Sequence, residues 1–490
     1  MGWIWMLLVI PVATGLIAWR IKNSNICEKF QVAGAFLMLL VGITLAVHVL
    51  TGSPITGANG LVYVDALGAF NLSLIVLVGF TSSVYSVGYM RHELRKDAIT
   101  GRHFRQYYLW FHLFLATMLA VSVVNNLGLL WVGIELTTLV SALLVAFYRK
   151  GTALEAAWKY LIMGSVGIAF ALLGIIFIYI SGIGVFGEHP GALNWTALSA
   201  ASERLNPQWI MIAFIFVLVG FGTKAGLAPM HFWLPDAHSQ APSPISAVLS
   251  GVLLNTALYG IFRVFIIANT TLQGKADDFL ILFGLFSIGI TVPFILVQHD
   301  LKRMLAYSSV EHIGIITLGV GIGGAIGLYG ALLHMFNHSM AKSLLFFSAG
   351  NINQKYHSKR IDRISGVLNV LPVTGPIFLI AAFAITGAPP FNVFISEFTI
   401  MLGGFQGGRI GVTVSFLLLV VMIFAGMIYY TIKMVFGEPP AKMEKKEING
   451  WSTAALFIPL VVVVVFGLYV PPFFTDVIHQ VSQVLQGGNR

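Results

Sequence analysis

Ionisable side chains interrupt several stretches of this sequence that are otherwise apolar. A lone charge at the centre of a bilayer costs about 2.5 to 3.5 kcal/mol, so such residues are retained where they do chemistry or pair with one another. They occur in five places: Glu135 in LGLLWVGIELTTLV, Lys224 in FVLVGFGTKAGLAP, Glu311 and His312 in LAYSSVEHIGIITL, His334, His338 and Lys342 in ALLHMFNHSMAKSLLFF, and Glu397 in FNVFISEFTIML. Any one of them could be a structural pair between helices, but their number favours a buried path for protons or other ions.

The spacing of His334, His338 and Lys342 is i, i+4 and i+8, which places all three on one face of a helix. Imidazole gives and takes a proton near neutral pH, and an ammonium group out of water releases its proton more readily than one in water. A stripe of such groups can relay protons. Glu135 and Lys224, if they are neighbours, would form an ion pair that an approaching charge could weaken, and such a pair can gate transfer.

A further polar group, His231, Asp236 and His238, occurs in PMHFWLPDAHSQAP, which is expected near a membrane surface. Two interpretations stay open for these residues: a route by which protons reach the buried groups, or hydrogen bonds to the backbone of the loop. No metal site is predicted. The single cysteine, Cys27, excludes a disulfide framework, iron–sulfur clusters and cysteine-ligated zinc, which all need several thiolates.

The composition places these residues in a membrane. Of the 490 residues, 57% are hydrophobic and 10% are charged, and the mean hydropathy is +0.87, which lies outside the range of soluble domains. The net charge of +9 comes from short basic loops between apolar runs, so nucleic acid is not an expected partner. The expected location is the cytoplasmic membrane, with the lipid bilayer surrounding a single polytopic domain, residues 1–490.

Apolar stretches of about 20 residues, each long enough to span a bilayer, indicate about fourteen helices. They begin near Gly2, Phe30, Leu67, Tyr107, Leu127, Trp158, Trp209, Ser243, Phe279, Met304, Leu328, Leu368, Ile410 and Trp451. The run from Trp3 to Ala18 is expected to be a span and not a signal peptide, because it lacks a preceding basic segment and a small-residue cleavage site. A short polar tail from Asp476 onward, without a long amphipathic helix, is expected after the last span.

Basic residues fall in alternate loops, a bias that marks the cytoplasmic side of membrane proteins. They are Arg91, Arg95, Lys96, Arg102, Arg105, Arg149, Lys150, Lys302, Arg303, Lys355, Lys359, Arg360, Arg363, Lys442, Lys445 and Lys446. The intervening loops carry few basic residues. Both termini are therefore predicted to lie outside.

Prolines interrupt two of the spans at comparable places: Pro229 follows GFGTKAGLA, and Pro389 and Pro390 follow AITGA. Each proline removes a helical hydrogen bond and clashes with the preceding turn. Broken helices at corresponding places in two halves indicate inverted repeats, with the unwound segments lining a polar site. The predicted division is helices one to three at 1–106, a first repeat of helices four to eight at 107–269, a second repeat of helices nine to thirteen at 278–436, and a last helix at 451–472.

Five long segments between about Tyr107 and Phe436 carry a family resemblance. They are WVGIELTTLVSALLVAFYRKGTALEAAWKYLIMGS, FGTKAGLAPMHFWLPDAHSQAPSPISAVLSGVLLNTALYGIFR, DLKRMLAYSSVEHIG, GALLHMFNHSMAKSLLFFSAGNI and GAPPFNVFISEF. Together they resemble the antiporter-like subunits of respiratory complex I, Mrp antiporters and membrane-bound nickel–iron hydrogenases. The resemblance implies an all-α fold of fourteen helices with two inverted five-helix repeats and broken helices seven and twelve.

The resemblance also implies roles for particular residues. By similarity, Glu135 is the glutamate of helix five, Lys224 the lysine of helix seven, and Glu397 the terminal charged residue of helix twelve. The stripe of two histidines and a lysine lies on helix eleven. The family commonly has a lysine or histidine on helix eight, where this sequence has Asn255. An amide cannot change charge, so a polar bridge at Asn255 needs a water chain or a contribution from the Glu311–His312 pair.

The PPFNVFISEF segment, Asn255 and the short C-terminus resemble the hydrogenase 4 and formate hydrogenlyase type most. This implies a subunit that moves protons, or sodium in exchange for protons, within a larger redox complex of membrane and peripheral subunits. No cofactor is expected in this chain, whereas iron–sulfur clusters and a nickel–iron centre or flavin are expected in the partners. The alternatives are a complex I subunit driven by quinone reduction, an Mrp-type antiporter subunit without redox coupling, and a bundle with a structural role.

Overall fold

The computed structural model describes residues 1–189, 191–440 and 443–487, and these are almost entirely helical. The predicted all-α class is confirmed. Lys442, one of the basic loop residues, lies outside the described residues. Within them, one antiparallel hairpin interrupts the helices, formed by β1 (Ile55–Gly57) and β2 (Val62–Val64).

The helices of the first half run from the N-terminus to residue 271. They are α1 (Gly2–Arg20), α2 (Ser24–Thr51), α3 (Ala66–Arg95), α4 (Gly101–Val123), α5 (Leu127–Val145), α6 (Gly151–Phe186), α7 (Trp195–Ala200), α8 (Pro207–Ala225), α9 (Trp233–Gln240), α10 (Ser243–Val248) and α11 (Leu254–Thr271). A turn of π-helix at Leu249–Leu253 joins α10 to α11, so Ser243–Thr271 is one continuous helical segment.

The helices of the second half follow from residue 276. They are α12 (Ala276–Leu296), α13 (Leu301–Ile322), α14 (Gly324–Tyr356), α15 (Val367–Val370), α16 (Thr374–Ile385), α17 (Asn392–Gln406), α18 (Ile410–Val435), α19 (Gly450–Ala454), α20 (Phe457–Leu468) and α21 (Pro472–Leu485).

Short polar side chains start many of the long apolar helices. In each case an oxygen of the side chain accepts hydrogen bonds from backbone N–H groups of the first turn, which have no partner inside the helix. The capping residues are Asn23, Asp65, Thr100, Asn126, Asn206 and Asp300. These caps fix where each span begins, because a free N–H group is costly to place in lipid.

Twelve helical segments in the described ranges are long and apolar enough to cross a membrane, counting α10 with α11 and α19 with α20. Their outward faces carry exposed large apolar side chains, such as Trp158, Ile162, Leu282 and Leu418. Such surfaces are stable against lipid. The polar helix α14 is not among the twelve, and α16 and α17, at 12 and 15 residues, are each too short.

The chain is broken at both of the proline positions. Helix α8 ends in the left-handed residue Gly226, with φ of +83°, and α9 begins only after Pro229. Helix α16 ends before the left-handed residue Gly387, with φ of +71°, and α17 begins after Pro390. A glycine is needed at each of these turns because a side chain strains a left-handed backbone.

The basic loops meet at one end of the bundle. Leu301 N–H donates to the Lys359 carbonyl at 2.9 Å, and the Lys355 ammonium donates to the Lys446 carbonyl at 2.8 Å. Gln354 donates to Glu93 at 2.8 Å. The loops after α3, α14 and α18 and the start of α13 are therefore held side by side. We refer to this surface as the basic end.

The opposite end contains a buried ion pair. Arg263 of α11 donates two hydrogen bonds of 2.6 Å to Asp65, which also caps α3. The guanidinium lies 4.3 Å from the centroid of the Trp195 ring, and Tyr259 accepts a further bond from it. The β-hairpin precedes Asp65 directly, so this pair fixes the hairpin against the helices.

The structure corrects the expectation of a polar tail after the last span. Residues 472–485 form α21, whose apolar face packs on α3 and α14 and buries Ile478, Val481 and Leu485. Polar residues such as His479 and Gln483 lie on its exposed face. The apolar positions of this segment recur at helical spacing, but the segment is too short and too polar to stand out in a search for spans.

Candidate functional site

Lys224 is buried in the last turn of α8, directly before the first helix break. Its side chain is 1% exposed. The ammonium donates to the Thr138 hydroxyl at 2.9 Å and to the Tyr160 hydroxyl, and it lies 4.4 Å from the centroid of the Tyr160 ring. Hydroxyl oxygens and an aromatic face stabilise the ammonium group in place of water.

The residues around Lys224 form a small hydroxyl cluster between α5, α6 and α8. Tyr160 and Ser141 share a hydrogen bond of 2.6 Å, and both side chains are fully buried. Trp233 at the start of α9 stacks on Tyr160 and donates to the Thr223 carbonyl at 2.8 Å, which ties the two halves of the broken helix together. We call Thr138, Ser141, Tyr160 and Lys224 the first cluster.

Glu135 lies one helical turn before Thr138 but does not pair with Lys224. One carboxylate oxygen accepts a bond of 3.1 Å from Ser165, and the other is buried without a partner among the described residues. The side chain is partly exposed on the outer face of the bundle. No ion pair within 4.0 Å joins Glu135 to Lys224 in the described chain. The direct pair considered from the sequence is therefore absent from this conformation, and Thr138 stands between the two groups.

Lys342 in α14 has surroundings similar to those of Lys224. Its ammonium donates to the Ser308 hydroxyl at 2.7 Å and to the Leu305 carbonyl at 2.9 Å, both on α13. Glu311, one turn further along α13, is 3% exposed and is not ion-paired to Lys342 within 4.0 Å in the described chain. Both buried lysines thus bond to neutral oxygens.

The two histidines of the α14 stripe face a third histidine on α13. His334 and His312 share a hydrogen bond of 2.9 Å between Nε2 and Nδ1, and the His312 and His338 ring centroids are 5.3 Å apart. The second nitrogen of His334 is 3.0 Å from the Ser396 hydroxyl on α17. All three histidines are fully buried, and both nitrogens of His338 lack a partner among the described residues.

Glu397 on α17 completes this group. It is 3% exposed, one carboxylate oxygen has no partner in the described chain, and the other lies against the backbone of Gly387 in the second helix break. We call Ser308, Glu311, His312, His334, His338, Lys342, Ser396 and Glu397 the second cluster. It contains groups that exchange protons at spacings of a few ångströms.

Three members of the second cluster could also hold a metal ion. One donor atom from each of His312, His334 and Glu397 lies within 4.8 Å of the other two. Two imidazoles and a carboxylate, with a fourth position open, are a donor set that Zn²⁺ accepts. The sequence does not bring these residues together as a ligand set, because they come from three different helices. The expectation that the chain has no metal site stays a prediction.

Asn255 links the two halves of the bundle. Its amide nitrogen donates to the Gly251 carbonyl at 2.8 Å and to the Ser339 hydroxyl of α14 at 2.9 Å. Ser339 directly follows His338 in the sequence, so Asn255 is next to the second cluster. No hydrogen bond in the described chain connects Asn255 to the first cluster. A link from there to Lys224 requires water or movement.

The residues suggested for proton uptake have different environments. Asp236 forms ion pairs with Arg303 at 2.5 Å and Lys159 at 3.3 Å. His238 is fully buried, stacks on Phe346, and has both ring nitrogens without partners in the described chain. His231 is 1% exposed and stacks on Phe232. Asp236 therefore bonds to side chains from α6 and α13, which fasten α9 in place.

Sequence reasoning missed the hydroxyl residues of both clusters and the ion pair of Arg263 with Asp65. The hydroxyl residues gave no signal, because Ser, Thr and Tyr are ordinary residues of membrane helices. Arg263 did give one: it is a guanidinium in the apolar run LYGIFRVFII. Its buried ion pair, rather than a place on the ion path, accounts for it.

The chain is similar in sequence to membrane proteins of known type. The profile described as NADH:quinone oxidoreductase/Mrp antiporter, TM, matches residues 124–425. A hydrogenase-4 component F homolog of Methylacidiphilum infernorum is 37% identical over 428 residues, which cover 86% of this chain and 88% of that protein. NADH-quinone oxidoreductase subunit N of Desulforudis audaxviator is 28% identical, covering 97% of each chain.

Solved structures share the fold. A chain of the archaeal membrane-bound sulfane sulfur reductase has a TM-score of 0.87 at 23% identity, and a chain of the Mrp complex from Dietzia sp. DQ12-45-1b has 0.86 at 20% identity. Each alignment covers 99% of this chain and 97% of the other. A chain of respiratory complex I from Thermus thermophilus has a TM-score of 0.75 at 24% identity, covering 95% of this chain.

Proposed function

Because this chain belongs to the NADH:quinone oxidoreductase/Mrp antiporter transmembrane family, we propose that it translocates protons within a redox-driven membrane complex of the nickel–iron hydrogenase type. The proposal is carried by the second cluster, in which proton-exchanging groups from α13, α14 and α17 are buried within hydrogen-bonding distance. Ionisable groups are expensive in a membrane, so a buried group of this size supports a path for ions.

The proposed path begins at the basic end near His231, Asp236 and His238 and runs to the first cluster at Lys224. From there a proton crosses by water to Asn255 and reaches the second cluster, which releases it by way of Glu397. The neutral partners of the two buried lysines support this scheme. An ammonium held by hydroxyl and carbonyl oxygens has no fixed counter-charge, so a charge arriving nearby can change its protonation strongly.

We also propose that α14 and the divided pair α16 and α17 complete fourteen spans. The division is then three N-terminal helices, two inverted repeats of five, and a last helix. The two breaks support it, since α8 with α9 and α16 with α17 occupy corresponding places in the two repeats. With basic loops on the cytoplasmic side, both termini lie outside.

Protons, and not sodium, are the proposed cargo of the second cluster. Hard cations prefer sites built from several oxygen ligands, whereas the central groups here are imidazoles. Moving one charge against 100 mV costs about 2.3 kcal/mol. In the proposed complex, partner subunits that hold iron–sulfur clusters and a nickel–iron centre or flavin supply this energy.

A second assignment has specific support. The match to NADH-quinone oxidoreductase subunit N covers nearly the whole of both chains, and a component of a Na(+)/H(+) antiporter from Alkalihalophilus pseudofirmus is 28% identical over 86% of this chain. Purification from the native membrane in mild detergent, followed by mass spectrometry, separates the assignments. Hydrogenase subunits support the proposal, whereas NADH-oxidising subunits or only small membrane proteins would replace it.

The function itself is tested with Lys224→Ala in the intact complex. We expect coupled proton movement into proteoliposomes to be lost, while electron transfer to a soluble dye continues. Lys355→Ala is the matched control, because this lysine lies at the basic end and bonds only the Lys446 carbonyl. A proton gradient that is unchanged in Lys224→Ala would overturn the mechanism.

A further inference from the structure

A cavity of about 450 Å³ opens at the basic end, between the last turns of α3 and α14, the start of α13, and the α9–α10 link. Cationic or titratable nitrogen groups surround it. They are His92, Lys96, Lys150, Lys302, His357 and Lys359. One carboxylate, Glu93, lines the cavity among the described residues, and it already accepts a hydrogen bond from Gln354 at 2.8 Å.

Basic loops on one membrane face are ordinarily explained by membrane orientation. That explanation covers exposed loop residues, but two of these lysines are not exposed. Lys302 is 2% exposed, and its ammonium donates to the Ala241 carbonyl at 2.5 Å. Lys359 donates to the Ser239 carbonyl at 2.5 Å. Neither lysine forms an ion pair within 4.0 Å in the described chain.

A buried ammonium without a counter-charge is unfavourable. Burial lowers the pKa of Lys359, Asp300 opposes this shift, and the charge of Lys150 adds to it. The cations thus disfavour one another across the cavity. A bound anion would remove this repulsion and use the ammonium donors that backbone carbonyls leave free.

We propose that this cavity binds a phosphate group, either as free inorganic phosphate or as the headgroup of an anionic phospholipid. Phosphate oxygens accept several charge-assisted hydrogen bonds, and lysine ammonium groups are common phosphate ligands. Gln240, Asn353 and Ser358 add neutral polar groups to the wall. The cavity is large enough for a phosphate with an organic substituent.

The position of the site gives it a second meaning. Ser239 and Ala241, whose carbonyls hold the two buried lysines, flank Gln240 immediately after His238. An anion at this place would tie α9, α13 and α14 together next to the suggested uptake residues. Control of proton uptake by the anion rests on the proposed function, whereas binding of the anion does not.

Binding is measured by isothermal titration calorimetry of inorganic phosphate into the purified full chain in uncharged detergent. We expect one site per chain, and roughly tenfold or greater weakening in Lys302→Gln and in Lys359→Gln, since each removes a charge-assisted bond. The more exposed Lys96→Gln/Lys150→Gln double variant provides the same test if the buried variants fold poorly. Lys355→Gln, outside the cavity, should bind phosphate normally.

A lipid source is tested by reconstitution. If free phosphate does not bind, wild-type chain in phosphatidylglycerol bilayers should melt at a higher temperature than in phosphatidylcholine, and the cavity variants should lose that difference. Either result supports the phosphate site and identifies its source. Absence of both effects, or equal effects in Lys355→Gln and the cavity variants, would overturn it. Because neither measurement involves transport, a failed site is distinguishable from a failed proton path.

Discussion

Replacing Gly387 by alanine should disable proton translocation without changing any titratable group. A Cβ atom at Gly387 would overlap the Glu397 carboxylate, lying 3.0 Å from Cδ and closer still to Oε2, whereas ordinary contact with a Cβ begins at 3.4 Å. The carboxylate must therefore withdraw by roughly 1 Å, and a displacement of that size at a reacting group costs about 100-fold in rate. We expect a loss of that order.

The backbone supplies a matched control for this substitution. Gly408, between α17 and α18, also has φ of +71°, and a Cβ there would meet no atom within 4 Å. Alanine at either position forces a side chain into the left-handed region, at a cost of about 1 to 2 kcal/mol. Both variants should lose this much stability, but only Gly387→Ala also displaces Glu397.

The assay is proton uptake into proteoliposomes that contain the intact complex, followed with a pH-sensitive dye. The rate is divided by electron transfer to a soluble acceptor, so that incomplete assembly does not imitate a blocked path. Thermal unfolding in detergent reports the stability of each variant. Equal normalised rates in Gly387→Ala and Gly408→Ala would refute the placement of Glu397 on the path.

Three further substitutions test other contacts. Arg263→Gln leaves a buried Asp65 unpaired and should cost about 3 to 5 kcal/mol, measured by thermal unfolding; adding Asp65→Asn should recover part of the loss, and strictly additive losses would contradict the pairing. Tyr160→Phe keeps an aromatic face for Lys224 but removes a hydroxyl, so translocation should fall about tenfold for a stability change of about 1 kcal/mol, and an unaltered rate would argue against the first cluster. Asn255→Ala removes the amide that bonds α11 to α14 and should cost about 1 to 3 kcal/mol; if unfolding and translocation both stay as in wild type, this contact is not a link between the halves.

The spans and helix breaks were predictable because they depend on local properties of the sequence. Hydropathy marks a segment that needs lipid, and a proline such as Pro229 removes a helix hydrogen bond wherever it occurs. The intramembrane charges also stand out, because each is costly in lipid. Glu311, Lys342 and Glu397 were found in this way, and the structure brings them to one region through α13, α14 and α17.

Pairing between helices was not predictable, because it depends on how each helix is rotated and tilted. Glu135 and Lys224 carry opposite charges, yet α5 directs Thr138 towards the lysine and leaves Glu135 partly on the outer face. The contact of His312 with His334 depends on the register of two separate helices. Hydropathy has no information about either quantity.

The packing of α21 has a consequence for how the chain is made. Ribosomes release a chain from its N-terminus, and early parts fold before late parts exist. Helix α3 emerges long before α21, which covers part of it, and α14 carries its polar stripe into the bilayer before that cover arrives. Tyr329 of α14 gains its contacts with Thr475 and His479 only at this last stage. Insertion of the spans and completion of the bundle are therefore separate events in the synthesis of this protein.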